Sequence, residues 1–189
     1  SLIIPSQLGF GQSLGKPDYC GPDTVESTKQ ILQNILNEEF TTTPQLVIWG
    51  ISRGASVAGQ LLIQYPTMFT AGVLQAGIYD FEQYLNQHDL DPRIHANIIE
   101  ESGGTKDALN QRSIIQKIDA LKTPIIIMHG EKDENVSVEQ AHILDTTLTE
   151  QQKEHELVVL NDAGHRISST QNAETYVYPF LDKILARKD

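Results

Sequence analysis

The stretch Gly50-Ile51-Ser52-Arg53-Gly54 constrains the fold of this 189-residue chain more than any other, because of what flanks it. Before it, residues 45–49 form a short apolar run rich in strand formers. After it, residues 55–65 carry a helical pattern that Pro66 stops. Strand, G-x-S-x-G, helix is the setting of a nucleophile elbow. The turn is so tight that the serine's neighbours, Gly50 and Gly54, are expected to lack side chains for want of space. It lifts the Ser52 hydroxyl clear of the sheet at a helix N-terminus, where the backbone N–H of Arg53 is free to hold an oxyanion.

The motif by itself is weak. At average glycine and serine usage it arises by chance in roughly one chain of this size in twenty. Its setting adds the rest. Residues 124–129 are a second buried-strand run, ending in Gly130-Glu131-Lys132-Asp133, and residues 157–160 a third, ending in Asn161-Asp162-Ala163-Gly164-His165. An acid and a histidine thus follow the serine, each in the loop after a predicted strand. The order Ser, Asp, His is that of α/β-hydrolases. Loops at the carboxyl ends of parallel strands converge on one edge of an open sheet. Ser52, Asp133 and His165 can therefore meet, although 113 residues separate the serine from the histidine and 32 the acid from the histidine. Their types suit one chemistry. A serine hydroxyl needs a base to take its proton, and an imidazole, with an ordinary pKa of about 6.5, can accept and return one. A carboxylate holds that imidazole in the right tautomer. The expected outcome is acyl transfer to Ser52 followed by hydrolysis. Asp162, three residues before His165, is the rival acid and is expected to point elsewhere.

These segments resemble, in order and over nearly the whole chain, the catalytic domain of the prolyl oligopeptidase family of serine peptidases. Gly9-Phe10-Gly11-Gln12-Ser13 is similar to that family's glycine-rich stretch after an early strand. Residues 50–55 resemble its elbow, and residues 76–80 the end of the following strand. Arg112-Ser113 through Ile118 and residues 124–136 resemble the approach to the acid loop, where members read HGxxDxxV, and Gly164-His165 matches the histidine loop. Ile114 and Ser137 stand where members often carry proline. The resemblance implies an α/β-hydrolase fold with Ser52 as nucleophile, Asp133 as acid and His165 as base, acting on a small peptide or ester. The residues leave two other readings open. One is a carboxylesterase of the same superfamily. The other is a truncated, non-catalytic domain that binds a partner through an incomplete sheet.

Five strands can be placed, over residues 2–5, 45–49, 72–76, 124–128 and 156–160. By analogy with the family they are the fourth to eighth of its sheet, so the fold is expected to be a mostly parallel sheet flanked by helices and N-terminally incomplete. Such domains run to about 250 residues, within the common single-domain range. The chain begins at Ser1 with no initiator Met, as expected of a processed or cut product. The first three strands and a helix then have no counterpart, and the second oxyanion donor normally comes from a loop among them. Either self-association or a missing N-terminal segment is expected to complete the sheet.

The whole chain, 1–189, reads as one domain without repeats. Residues 23–39 read as a helix with Val25, Ile31, Leu32, Ile35 and Leu36 on its inner face. Residues 81–119 read as a polar excursion, helical in pieces, broken at Gly103-Gly104 and set beside the site's mouth. Residues 137–151 and 170–188 read as the last two helices. The apolar fraction of 39% lies in short runs, none long enough to span a bilayer. A net charge of −11 opposes nucleic acid and anionic membranes as partners. Neither a cofactor nor a metal is expected, since no H-E-x-x-H or paired Cys/His spacing exists. The expected location is cytoplasmic. Cys20 excludes an internal disulfide and reads as incidental. His129 is expected to pack or hydrogen-bond at a strand end, and His88, His95, His142 and His155 to lie on the surface. The Arg53 side chain is expected either to greet a substrate carboxylate or carbonyl or to point into solvent.

Overall fold

The structure is a computed structural model and describes residues 1–39, 45–87 and 91–187. Four strands, β1 (Val47–Ile51), β2 (Ala71–Gln75), β3 (Ile125–Gly130) and β4 (His155–Leu160), form a parallel sheet in the order β1-β2-β3-β4. Strands 2 and 3 are buried along their full length. Apart from Gln75 and His129 near their carboxyl ends they read as apolar runs, because both faces of a parallel sheet are covered. Successive residues serve opposite faces. Leu74, Ile125 and Ile127 pack into a large core with helix α2 (Arg53–Gln64) and helix α6 (Glu139–Glu150). Val73, Ile126 and Met128 pack into a smaller core with Val177, Phe180 and Ile184 of the C-terminal helical segment.

That segment runs Thr170–Asn172 (α7), a π-helical stretch Ala173–Val177, then Tyr178–Leu185 (α8). Pro179 cannot donate to the carbonyl of Thr175, and the widened turn ahead of it absorbs the loss. Helix α1 (Pro22–Glu39) has its N-terminal proline at the helix start, buries Val25 and half-buries Leu32 against the larger core. Between β2 and β3 the excursion carries α3 (Phe81–Leu85), α4 (Pro92–Ser102), α5 (Lys106–Arg112) and a 3₁₀ turn, Ile115–Ala120. Asp80, Asp91 and Thr105 cap the three helices with side-chain oxygens, and Gly103 ends α4.

Two expectations about strands are corrected. Residues 2–5 form no strand. Leu2 and Ile4 are 85% and 81% exposed, and apolar composition without a paired neighbour does not hold a strand in water. Among the described residues, no strand pairs with the outer edge of β1. Second, β1 extends two residues past Trp49, because its register with β2 continues through Ile51 opposite Gln75. The turn of the elbow is thereby confined to Ser52. The expectation that His88 is a surface residue lies outside the described residues.

Candidate active site

The three loops at the carboxyl ends of β1, β3 and β4 meet at one edge of the sheet. Ser52 sits between β1 and α2 at φ 52°, ψ −121°, a conformation that a side chain rarely adopts. Its backbone is fixed by a 2.7 Å hydrogen bond from Ser52 N–H to the carbonyl of Gln75. Gly50 is required by space, since a Cβ there would lie 2.3 Å from the Gly54 carbonyl oxygen. Gly54 is not: a Cβ there meets nothing within 4 Å, so only one of the two flanking glycines is forced by crowding. Gly130 is the corresponding close approach on the other side. A Cβ there would meet the carbonyl oxygens of Gly164 and Ala163, at 2.3 and 2.4 Å, so its bare backbone lets the histidine loop lie against the acid loop.

Ser52 Oγ lies 2.9 Å from His165 Nε2, and His165 Nδ1 lies 2.8 Å from Asp133 Oδ2. With Nδ1–H donating to the carboxylate, Nε2 is left to accept from the serine hydroxyl. The Asp133 side chain is fully buried. Its Oδ1 accepts 2.9 Å hydrogen bonds from the amides of Asn135 and Val136. Its Oδ2 also faces His129 Nε2 at 3.1 Å. Burial alone would push the carboxyl up. The bonds from His129, His165 and the Val136 and Asn135 amides outweigh it and hold the group well below the usual carboxylate range. Tyr84, from α3, donates to the Asn135 carbonyl at 2.8 Å and braces the same loop. Asp162 points away as expected. It is 94% exposed in its side chain and pairs with Lys132 at 2.8 Å.

Arg53, the first residue of α2, has no intrahelical acceptor for its N–H. Its side chain meets neither expectation. The guanidinium grips Glu101 of α4 at 2.5 and 3.1 Å and donates to Gln7 at 2.8 Å. It also lies over the rings of Phe10 and Tyr19, at 4.7 and 4.3 Å. A cation this enclosed is satisfied within the chain, and a substrate carboxylate would have to displace Glu101. Cys20 is likewise not incidental. It is fully buried beneath the elbow, and its thiol donates to the Arg53 carbonyl at 3.2 Å. Burial pushes that thiol up to about 12, so it stays protonated. His155 is not a free surface residue either: its ring lies 3.0 Å from Asp145 and 2.8 Å from the Lys153 carbonyl.

Sequence reasoning missed Gln75. It is buried at the end of β2, and its side-chain oxygen accepts a 2.8 Å bond from Ser168 in the histidine loop. One polar residue closing an apolar strand was the available signal. Among the described residues no group of three or more His, Cys, Asp or Glu is placed to hold a metal ion, and no helix is long and apolar enough to cross a membrane.

A sequence model described as the prolyl oligopeptidase family matches residues 18–187. The chain belongs to the prolyl oligopeptidase family. It is 26% identical over 170 residues to the uncharacterized peptidase YuxL of Bacillus subtilis, covering 86% of this chain and 25% of that one. It is 25% identical over 141 residues to the acylamino-acid-releasing enzyme of Sus scrofa, covering 70% and 19%. The chain thus spans a quarter or less of the length of these relatives. Among solved structures of the family's fold, the uncomplexed acylaminoacyl peptidase of Pyrococcus horikoshii superposes with a TM-score of 0.77 at 18% identity. That match covers 92% of this chain and 30% of the other. An acylaminoacyl peptidase in complex with Z-Gly-Gly-Phe-chloromethyl ketone superposes at 0.74, with 18% identity and 91% and 28% coverage. The fold is accordingly that of α/β-hydrolase peptidases.

Proposed function

We propose that this chain carries the catalytic centre of a serine peptidase that works through an acyl-enzyme on Ser52. The observation that carries this reading is the continuous chain of contacts from Ser52 Oγ through His165 to Asp133, at 2.9 and 2.8 Å. Ser52 Oγ attacks the substrate carbonyl carbon while its proton passes to His165 Nε2. Asp133, ionised and buried, stabilises the imidazolium and fixes its tautomer. The tetrahedral oxyanion accepts from Arg53 N–H at the N-terminus of α2. Collapse breaks the C–N bond as His165 returns the proton to the leaving amine, and water, deprotonated by His165, then releases the acid product and Ser52. The relatives named acylamino-acid-releasing enzyme and the solved structures named acylaminoacyl peptidase support peptides, N-acylated ones among them, as the substrate class for this chain.

The test is reaction with a fluorophosphonate probe, followed by turnover of p-nitrophenyl esters and acyl-peptide anilides. Ser52 is expected to be labelled, and Ser52→Ala and His165→Ala to lose nearly all labelling and turnover with the fold intact, because the three residues act as a unit. A Ser52→Ala variant that keeps most of its activity would sink the mechanism. Turnover of esters alone would move the assignment to a carboxylesterase, and no labelling at all to a binding domain.

A further inference from the structure

We propose that His129 is a positioning residue for the acid of the site, holding Asp133 Oδ2 between two imidazoles. The inference rests on the assignment of Asp133 as the acid that orients His165. His129 lies in β3, wholly buried. Its Nε2 faces two acceptors, Asp133 Oδ2 at 3.1 Å and the carbonyl oxygen of Val136 at 2.8 Å. Neither can donate, so Nε2 carries the proton and donates it to the Val136 carbonyl, with Asp133 Oδ2 in close contact beside it. Its Nδ1 is buried without a partner. A proton there would be an unpaired N–H in the interior, which is costly, so the ring is the neutral Nε2–H tautomer. His129 therefore acts as a one-proton clamp.

Two consequences follow from the geometry. Oδ2 is bonded to His165 Nδ1 at 2.8 Å and lies against His129 Nε2 at 3.1 Å, so a turn of the carboxylate disturbs both contacts. The same N–H also pins the Val136 carbonyl, while the Val136 and Asn135 amides hold Oδ1. The loop that carries the acid is thus closed on itself from both sides, and its closure runs through a side chain on the rigid strand beneath it.

The test compares three variants of the same full chain, each checked for fold by circular dichroism. His129→Leu removes the donor and is expected to lower the rate of fluorophosphonate labelling and kcat about ten- to hundred-fold, with KM nearly unchanged, since a buried acceptor loses a partner. His129→Gln carries an amide N–H at about the reach of Nε2 and is expected to restore most of the loss. His129→Asn is too short and is expected not to. In an Asp133→Ala background, His129→Leu should cost nothing further, because it acts through that carboxylate. Equal loss in both backgrounds, or no rescue by Gln, would overturn the proposal. A readout free of activity comes from ¹⁵N-histidine NMR of the unaltered chain. His129 is expected as the Nε2–H tautomer, and the His165 Nδ1–H signal is expected to weaken or move in His129→Leu. An Nδ1–H tautomer at His129, or an unmoved His165 signal, refutes the proposal even where no labelling is seen. Absence of labelling in the unaltered chain bears on the proposed function alone.

Discussion

Ser52 holds a backbone conformation that costs on the order of 1–3 kcal/mol for a residue with a side chain, and the hydrogen bond from its amide to Gln75 helps to keep it there. Strain at one residue is sustained because β1, α2 and the end of β2 over-determine its position. Asp133 is the second residue whose state departs from the ordinary. Its folded pKa is depressed, so its ionised form contributes stability that is fully present above the unfolded value, near 3.9, and is lost as pH falls toward the folded value. Melting temperatures of the unaltered chain and Asp133→Asn are therefore expected to differ most above about pH 5, to draw together as pH falls through about 4, and to converge only as pH approaches the depressed folded value. A gap that stays constant from pH 3 to pH 7 would show that the buried carboxylate is not the source.

At the scale of elements, the elbow and the excursion are one mechanical unit. Arg53 ties the first turn of α2 to the last turn of α4 through Glu101, and to the N-terminal loop through Gln7, Phe10 and Tyr19. The pair is partly shielded, with side chains 20% and 13% exposed, so its loss falls between the exposed and the buried case. Glu101→Ala is expected to destabilise the fold by about 1–3 kcal/mol and to speed amide exchange in residues 92–102. Unchanged exchange in α4 would show that other contacts hold it. The sequence made α1 and α2 legible because their signals are local, Pro22 at the start of one and Pro66 after the end of the other with apolar spacing between, while in the excursion it showed only helix in pieces and the break at Gly103-Gly104. It misplaced a strand at residues 2–5 because apolar composition says nothing about whether a neighbour exists to pair with. The Ser52, Asp133 and His165 grouping could be read from strand-end loops alone. The Arg53–Glu101 pair, the Cys20 thiol under the elbow and the His129 clamp could not, because each depends on where a side chain turns.

The molecule as a whole presents an uneven surface. Trp49 and Ile51 on β1 are 39% and 47% exposed, on a strand whose outer edge pairs with no other described strand. Such an edge invites strand addition, while a net charge of −11 keeps copies apart at low salt. Self-association in sedimentation is therefore expected to grow with added salt and to weaken in Trp49→Lys. A mass independent of both would show that this edge is already satisfied. Gln75 has a wider consequence. Its carbonyl holds the Ser52 amide, its side-chain oxygen holds Ser168, and its amide nitrogen rests on Met128 of β3. The loops bearing hydroxyl and imidazole are thus both referenced to one fixed point on a central strand. A displacement of β2 carries both along together, as a common-mode motion, and leaves the gap between them unaltered. Only a differential motion, with one loop slipping its tether, can misalign the pair, so the working distance is less sensitive to the breathing of the sheet than three independent loops would make it.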